Sequence, residues 1–365
     1  MNLIHGKRAT YHDMNLFTPF RLRGIELKNR IAVSPMCEYS AKDGHPTNWH
    51  MVHLGSRAVG GSALVFTEAT AVSAVGRISP GDTGIYSDDH VESWRPIAEF
   101  VRGQGAIPGI QLAHAGRKAS TAVPWEGGAP VPAKDGAWTP VAPSAIPFDT
   151  GYALPKELTA AEIEEVVRNF GAAAGRALKA GFQIVGIHSA HGYLLHEFLS
   201  PLSNHRSDEF GGVFENRIRA LLRVAEAVRG VWPQEWPVFV RISATDWTDN
   251  GWDLQQSIQL AQRLKGVGVD LIDVSSGGAV PGVVIPVAPG YQVAFAETIR
   301  REAGIATGAV GMITEPAQPE AIISTGQADI VLLARELLRD PYWPRRAARA
   351  LGAKIKPPVQ YERAW

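Results

Sequence analysis

The sequence predicts a single (β/α)8 barrel, the architecture also called a TIM barrel. Eight short runs of β-branched and aliphatic residues recur along the 365-residue chain, and a helical, amphipathic pattern follows each of them. Most of these runs are apolar at successive positions, which is typical of strands covered on both faces in a parallel sheet. No linker-like stretch divides the chain and no G-x-G-x-x-G follows a strand, so two smaller α/β domains or a doubly wound open sheet are less favoured.

The elements follow one another in a regular order. Residues 1–15 are polar and are predicted to form a flexible extension, and the barrel is predicted to occupy residues 16–365. The run LFTPFRLRGIELKNR, residues 16–30, predicts a β-hairpin that closes the bottom of the barrel. The predicted strands cover residues 31–36, 63–67, 107–113, 183–188, 238–243, 271–275, 305–310 and 330–334. The predicted helices cover residues 50–59, 90–103, 160–179, 215–229, 254–265, 291–301, 316–324 and 341–351.

Local signals support individual boundaries. Thr159 and Glu162 form a Thr-x-x-Glu capping box ahead of the third helix, and Gly181 is suited to end it. Residues 125–155 are rich in Pro and Gly and have no periodicity, which predicts a long loop after the third strand. In this fold the loops that follow strands build the active-site face.

Composition and charge argue against several classes of protein. Lys plus Arg number 36 and Asp plus Glu number 36, so the formal net charge is zero and neither nucleic acid nor a membrane surface is an expected partner. The single cysteine, Cys37, excludes an intrachain disulfide and fits a reducing compartment. No apolar stretch approaches the roughly 20 residues that span a bilayer, and the N-terminus is too polar for a signal peptide. We therefore predict a cytoplasmic protein that acts on a small molecule.

Polar and reactive side chains collect where the predicted strands end. The stretch SPMCEYS follows the first strand, QLAHAGRK ends the third, and Arg241 lies in the fifth. The carboxyl ends of all barrel strands meet at one face, so we expect these side chains to be neighbours. At the ends of the seventh and eighth strands, TGAVG with Gly311 and ARELL with Arg335 match the place where such barrels hold a phosphate group.

The stretch HSAHGY carries His188, His191 and Tyr193 just past the fourth strand. Gly192 lets the chain bend there, so both imidazoles can converge on the barrel mouth. Two imidazoles, neutral or partly charged, would stabilise negative charge that develops on a bound oxygen. A tyrosine with an ordinary pKa near 10 keeps its proton at neutral pH and can deliver it. The trio predicts a site for a carbonyl-activated substrate.

Two other functions remain open on the residues alone. His188 and His191 could bind a catalytic metal ion with Glu197 or Asp246 as the carboxylate of a hydrolase. However, H-x-x-H at a strand end is not the helical H-E-x-x-H motif, so this hypothesis ranks second. The third hypothesis is a phosphate-ligand binding protein without turnover.

Longer stretches resemble the Old Yellow Enzyme family of FMN-dependent ene-reductases, and specifically its thermophilic-like bacterial branch. The resemblance runs in family order over nearly the whole chain. It is carried by LKNRIAVSPMCEYS, GIQLAHAGRKA, HSAHGYLLHEFLSPLSNHRSDEFGG, ATGAVGMI, RELLRDP and PVQYERAW. It implies a tightly but non-covalently bound FMN over the barrel mouth and NADPH or NADH as electron donor. It also implies reduction of the C=C bond of α,β-unsaturated carbonyl or nitro compounds.

The resemblance also assigns residues to FMN. Cys37 would lie near the reactive part of the flavin and tune its electronics. Arg241 would lie at the polar edge of the ring. The complete set implied for FMN binding is Ser34, Pro35, Met36, Cys37, Ala69, Gln111, Arg241, Gly311, Ala334 and Arg335.

For the substrate, the resemblance implies that His188 and His191 bind its carbonyl or nitro oxygen. Hydride would pass from flavin N5 to the β-carbon, and Tyr193 would protonate the α-carbon. Tyr39 and Lys118 would border the substrate.

The branch implies, finally, a homodimer or a homotetramer. In such an assembly Arg363, in the tail QYERAW, would reach the site of the neighbouring subunit and complete it.

Overall fold

The computed structural model describes residues 15–364. Residues 1–14 of the predicted extension and Trp365 lie outside the described residues, so the predicted domain limits stay predictions. In chain order, the strands are β1 (Phe20–Leu22), β2 (Ile25–Leu27), β3 (Ile31–Val33), β4 (Leu64–Ala71), β5 (Ile107–Ala113), β6 (Val141–Ala142), β7 (Lys156–Glu157), β8 (Ile184–Ser189), β9 (Val238–Ser243), β10 (Leu271–Ser275), β11 (Ala306–Ala309) and β12 (Ile330–Leu333). The α-helices are α1 (Asn48–Val59), α2 (Asp89–Gly103), α3 (Ala160–Ala180), α4 (Leu194–Leu199), α5 (Phe214–Arg217), α6 (Arg219–Val231), α7 (Leu254–Gly266), α8 (Val293–Ala303), α9 (Ala317–Ser324), α10 (Arg335–Arg339) and α11 (Trp343–Ala350).

Eight of these strands form a closed barrel, which confirms the predicted fold class. Around the barrel the order is β3-β4-β5-β8-β9-β10-β11-β12, and β12 pairs with β3 to close it. Every neighbouring pair is parallel. β3 is shorter than predicted, and the physical reason is Pro35, which has no N–H to donate to a ladder.

The core has two parts because side chains alternate along each strand. Val185 and Val240 point outward and pack under the helices. The inward-pointing residues, such as Ile184 and Phe239, form a second apolar cluster inside the barrel. The antiparallel hairpin of β1 and β2 adds Ile25 and Leu27 to this inner cluster, so the hairpin closes the bottom of the barrel as predicted.

The longest α-helix, α3, has the predicted ends. The Thr159 hydroxyl accepts from the Glu162 N–H at 3.3 Å, and the Glu162 carboxylate accepts from the Thr159 N–H at 2.9 Å. Gly181 ends the helix with a φ of +96°, a left-handed conformation that favours glycine. None of the helices in the described part of the chain is long and apolar enough to cross a membrane.

Several segments differ from the prediction. The short helix α10 was not predicted, and the predicted helix 215–229 is divided into α5 and α6. α4 was not predicted, because all six of its residues are buried and the segment therefore lacks an amphipathic period. The predicted loop 125–155 contains short 3-10 turns, and β6 within it pairs in parallel with β7 just beyond its end. The loop therefore folds back on itself over the active-site face.

Candidate active site

The inward-facing positions turn polar above the apolar layer of the barrel. In the strand register, His188 on β8 is paired with Arg241 on β9, and Arg241 with Asp273 on β10. Paired positions of parallel strands share a face, so these three side chains form one row at the rim. Ser243 and Ser275, two positions further along β9 and β10, form the next row. The site is thus built by the same alternation that builds the core.

Arg241 is held in place by two buried partners. Its Nε donates to Asp273 Oδ2 at 2.6 Å and its Nη2 donates to Ser34 Oγ at 2.7 Å. Burial raises the pKa of Asp273, and the Arg241 guanidinium opposes this shift. Two charges at this depth are stable only as a hydrogen-bonded pair. Asp273 therefore fixes a cation at the barrel mouth.

The turn after β8 aims the histidines. His191 has a φ of +61°, and its N–H donates to Ser243 Oγ at 2.9 Å. Gly192 has a φ of +73°, and a Cβ there would lie 2.0 Å from the Gly278 carbonyl oxygen, so only glycine fits. Lys118 Nζ donates to the carbonyls of His191 at 2.7 Å and Gly278 at 2.8 Å. Lys118 therefore clamps this turn, while its contact with a substrate stays a prediction.

The structure brings the predicted trio together. The ring centroid of His188 is 5.2 Å from that of His191 and 5.2 Å from that of Tyr193. Ser275, which the sequence analysis did not single out, lies 2.7 Å from His191 Nε2 through its Oγ. Nδ1 of His188 is buried without a hydrogen-bond partner among the described residues. An unpartnered buried ring nitrogen is what a site for a bound polar group requires.

The charge states of the trio follow from burial. Burial lowers the pKa of His188 and of His191 well below the ordinary value, and Arg241 adds to the shift at both. Burial also raises the pKa of Tyr193 well above its ordinary value, with smaller contributions from Cys37 and other acidic groups. At neutral pH the site therefore presents two neutral imidazoles and a protonated phenol. The lowered pKa values therefore favour neutral imidazoles, where the sequence alone allowed either neutral or partly charged ones.

Cys37 lies just beyond β3 and is half-buried. Its thiol faces the Tyr39 hydroxyl and the N–H of Ala69. Burial raises the pKa of the thiol, and the nearby carboxylates of Asp82 and Glu68 raise it further. Cys37 is therefore a neutral thiol at physiological pH, and any effect on a bound flavin comes from an S–H group rather than from a thiolate.

A cavity of about 310 Å³ extends from the histidine turn to α10. The structure places six of the predicted FMN residues on its wall: Ser34, Pro35, Arg241, Gly311, Ala334 and Arg335. The wall residues that the sequence analysis did not name include Ser275, Tyr291, Gln292, Met312 and Arg339. The other predicted FMN residues do not line this cavity.

Those remaining residues lie on neighbouring strands of the rim. Ala69 and Gln111 are paired between β4 and β5, after a register shift that follows Phe66. Met36 packs against the outer core, and Cys37 lines an adjacent open groove of about 750 Å³. Their contacts with FMN stay predictions.

The residues present fit FMN. One end of the cavity has the Arg241 cation and the Ser34 hydroxyl, which suit the polar edge of a flavin ring. The other end has Gly311 and Arg335 on the connections after β11 and β12, which suit a phosphate group. His188, whose Nδ1 has no partner among the described residues, is paired with Arg241 in the strand register.

The ligand geometry does not favour the metal-hydrolase hypothesis. Glu197 Oε1 accepts from the Arg117 N–H at 2.9 Å, and Asp246 Oδ1 lies 3.0 Å from His196 Nε2. Both candidate carboxylates are thus engaged elsewhere. Within residues 15–364, no third His, Cys, Asp or Glu joins His188 and His191 within reach of one ion.

Asp82 is a buried carboxyl behind the site that the sequence analysis missed. It lines a cavity of about 10 Å³ together with His114 and Tyr193, a space that suits one water molecule. Its oxygens accept from the Ile78 N–H at 2.6 Å and from Ser79 Oγ at 3.1 Å. Burial, and secondarily Glu68, raises its pKa to about 7.

This shift predicts how stability depends on pH. Between pH 3.8 and 7 the folded state keeps a proton on Asp82 that the unfolded state has lost, so rising pH lowers stability by up to about 4 kcal/mol. Asp82→Asn removes the ionisable group and with it this pH dependence of stability. The variant should therefore gain melting temperature relative to wild type between pH 5 and pH 8. Thermal unfolding across that range measures the difference, with the exposed Asp135→Asn as the control. Parallel curves for Asp82→Asn and wild type would contradict the shift.

Comparison with known proteins agrees with this geometry. Residues 15–353 match the model of the NADH:flavin oxidoreductase / NADH oxidase family. NADPH dehydrogenase of Geobacillus sp. (strain WCH70) is 54% identical over 352 residues, which cover 96% of this chain and 98% of that protein. NADPH dehydrogenase of Bacillus subtilis (strain 168) is 51% identical over 352 residues, which cover 96% of this chain and 99% of that protein.

Solved structures show the same fold. Morphinone reductase superimposes with a TM-score of 0.80 at 26% identity, covering 96% of this chain and 94% of that one. The old yellow enzyme homologue from Zymomonas mobilis superimposes with a TM-score of 0.77 at 29% identity, covering 95% of each chain. The chain therefore belongs to the NADH:flavin oxidoreductase / NADH oxidase family, the Old Yellow Enzyme family, and is an FMN-dependent oxidoreductase.

Proposed function

We propose that this oxidoreductase is an ene-reductase of the thermophilic-like branch, which reduces activated C=C bonds of α,β-unsaturated carbonyl or nitro compounds. The observation that carries the proposal is the cluster of two neutral imidazoles, His188 and His191, and one protonated phenol, Tyr193. The ring centroids of His191 and Tyr193 each lie 5.2 Å from that of His188. Bound FMN would supply the hydride for the β-carbon, and NADPH or NADH would supply the electrons for it. The names of the bacterial relatives favour NADPH as the donor.

His188 and His191 bind the oxygen of the substrate. The Ser275 hydroxyl can donate to His191 Nε2 across 2.7 Å, which leaves the proton on Nδ1 for the substrate. Neutral N–H donors that are fixed before binding need no reorganisation as charge grows on the oxygen. The hydrogen bonds at the backbone of His191, from Lys118 and to Ser243, keep the ring in this orientation.

Tyr193 supplies the proton to the α-carbon. Burial holds the proton on the phenol until a basic carbon forms next to it. Lys118 Nζ lies 5.3 Å from the centroid of the Tyr193 ring. Burial lowers the pKa of Lys118 to about 8, so it is still charged at neutral pH. That charge stabilises the phenolate that Tyr193 becomes.

The remaining residues hold the cofactor. Arg241, fixed by Asp273 and Ser34, would hold the flavin ring at the barrel mouth. Gly311 and Arg335 would hold the phosphate at the far end of the cavity. Tyr291 and Gln292 also line this cavity.

Anaerobic titration of the purified protein tests the proposal. We expect yellow protein that bleaches with NADPH and regains its colour when an enone is added. A colourless protein with one zinc ion per chain would support the metal hydrolase instead. A yellow protein that no enone or nitroalkene reoxidises would favour ligand binding without turnover. A parallel screen with NADH decides the preferred donor.

We also propose that the site is completed in a homodimer or homotetramer by Arg363 of a neighbouring subunit. Arg363 is exposed in the 3-10 segment Val359–Ala364. The groove beside Cys37 is lined by Trp49 and Trp125, which are 56% and 68% exposed and offer apolar surface to an incoming tail. Light scattering tests the assembly, and a monomer at assay concentration would contradict it. The cytoplasmic location stays a prediction.

A further inference from the structure

Three side chains of the kinds that bind metal ions lie together outside the active site. His45 lies between β3 and α1, and Asp89 and His90 begin α2. One possible ligand atom from each lies within 4.8 Å of those of the other two. His45 Nε2 is 3.5 Å from Asp89 Oδ2, and the two imidazole centroids are 4.4 Å apart. This cluster is not used in the proposed reaction.

We propose that His45, Asp89 and His90 bind a divalent transition-metal ion, and that Zn²⁺ fits the site best. Two imidazole nitrogens and one carboxylate oxygen form a ligand set that suits zinc, with water in the fourth position. Tetrahedral zinc with bonds near 2.1 Å needs ligand atoms about 3.4 Å apart. The pair His45 Nε2 and Asp89 Oδ2 already has this spacing.

Hydrogen bonds orient both imidazoles as ligands. His90 Nε2 lies 3.1 Å from the Asp43 carbonyl oxygen, which can only accept, so Nδ1 keeps its lone pair. His45 Nδ1 lies 2.7 Å from Ser93 Oγ, which can accept its proton and leave Nε2 free to face Asp89. A bound ion would replace the 3.3 Å bond from the Ser87 N–H to His90 Nδ1. Metal-binding histidines usually have such orienting partners.

The backbone around His45 is also preformed. Lys42 and His45 exchange two backbone hydrogen bonds, of 3.1 Å and 2.8 Å. The two residues between them, Asp43 and Gly44, have φ values of +50° and +82°, as a tight two-residue hairpin requires. The position of His45 therefore does not depend on the ion, which reduces the ordering that binding requires.

The charges of the cluster are compatible with a cation. The Ser87 hydroxyl, which donates to Asp89, lowers the pKa of that carboxyl, so Asp89 is ionised at neutral pH. Burial lowers the pKa of His90, so this imidazole is neutral and binds without losing a proton. The positive end of the α2 dipole opposes a cation, but this effect is weak at an exposed helix end and Asp89 offsets it.

A bound ion would join two parts of the active-site face. The segment between β3 and α1 carries Cys37 and Tyr39 as well as His45, and the ion would tie this segment to the first turn of α2. Because the ion binds the folded state, Zn²⁺ in large excess over Kd should raise the melting temperature by a few degrees.

Calorimetric titration of the FMN-loaded enzyme with ZnCl₂ tests the proposal. The protein should carry no polyhistidine tag and should first be treated with chelator and desalted. We expect one Zn²⁺ per chain in wild type. His45→Ala and Asp89→Asn should each weaken binding by about tenfold or more. Asp89→Asn keeps the shape of the side chain, so it remains informative if His45→Ala folds poorly.

The matched control is His205→Ala, which removes an exposed imidazole outside the cluster. It should bind Zn²⁺ as wild type does and show the same rise in melting temperature. Two outcomes would overturn the proposal. One is wild type without stoichiometric binding. The other is unchanged affinity in both His45→Ala and Asp89→Asn, which would assign the ion to other ligands.

Discussion

Tyr193→Phe is expected to slow the reduction of an enone by about 10²–10⁴-fold, while the reduction of FMN by NADPH stays close to the wild-type rate. In the proposed reaction the phenol donates the proton, and burial raises the pKa of Tyr193 well above its ordinary value, so the phenol is protonated at neutral pH. Electron transfer from the nicotinamide to FMN needs no proton from Tyr193. Anaerobic stopped-flow measurement of the two half-reactions separates these effects.

Tyr86→Phe is a suitable control for this variant. Its hydroxyl lies on the same face of the barrel but donates to the Asp43 carbonyl at 3.3 Å, outside the active site. Both half-reactions should proceed at wild-type rates in this control. Equal slowing of the two half-reactions in Tyr193→Phe would show that the residue acts on FMN binding or on folding, and its role as proton donor would then be wrong.

The barrel could be predicted because its strands are buried on both faces. β5, β9 and β10 have the predicted bounds, since each is a short, mostly apolar run that a single polar or charged side chain interrupts without ending it. β4 extends four residues beyond its predicted end, because the register shift after Phe66 lets pairing with β5 resume at Ala69. Such a shift depends on the neighbouring strand and leaves no pattern in the local sequence.

The active-site trio could be predicted because its members are close in sequence. His188, His191 and Tyr193 are separated by a strand end and a glycine, so local geometry alone brings them together. The partners that orient them come from other strands. Ser275 on β10 meets His191 only because the barrel register places β10 two strands from β8.

Asp273 is a residue of the site that the sequence analysis missed, although the sequence contains a signal for it. It stands in the middle of the apolar run LIDVS, where a carboxylate is stable only with a buried partner. Arg241 in VFVRIS is the complementary exception on the adjacent strand. Two opposite charges inside two consecutive apolar strands predict an ion pair in the barrel, and the structure contains it at 2.6 Å.

His191→Ala is expected to weaken the binding of a phenol, whose oxygen stands for the charged oxygen of the substrate, by roughly 10²-fold. The lost group is a neutral N–H donor in a buried site, where a hydrogen bond to a charged oxygen is worth about 3 kcal/mol. Titration of the flavin absorbance with the phenol measures the affinity. His205→Ala is again the control, and it should leave Kd unchanged.

Ser275→Ala distinguishes the role of His191, which donates to the ligand, from the role of Ser275, which orients His191. If the Ser275 hydroxyl sets the tautomer of His191 across their 2.7 Å contact, its loss should weaken phenol binding less than the loss of His191 does. The double variant should then bind no more weakly than His191→Ala alone, because the serine acts only through the imidazole. Additive losses would mean that Ser275 contacts the ligand directly.

Unchanged binding in His191→Ala would remove the imidazole from the oxygen site, and with it the basis for assigning the protonation step to the neighbouring Tyr193.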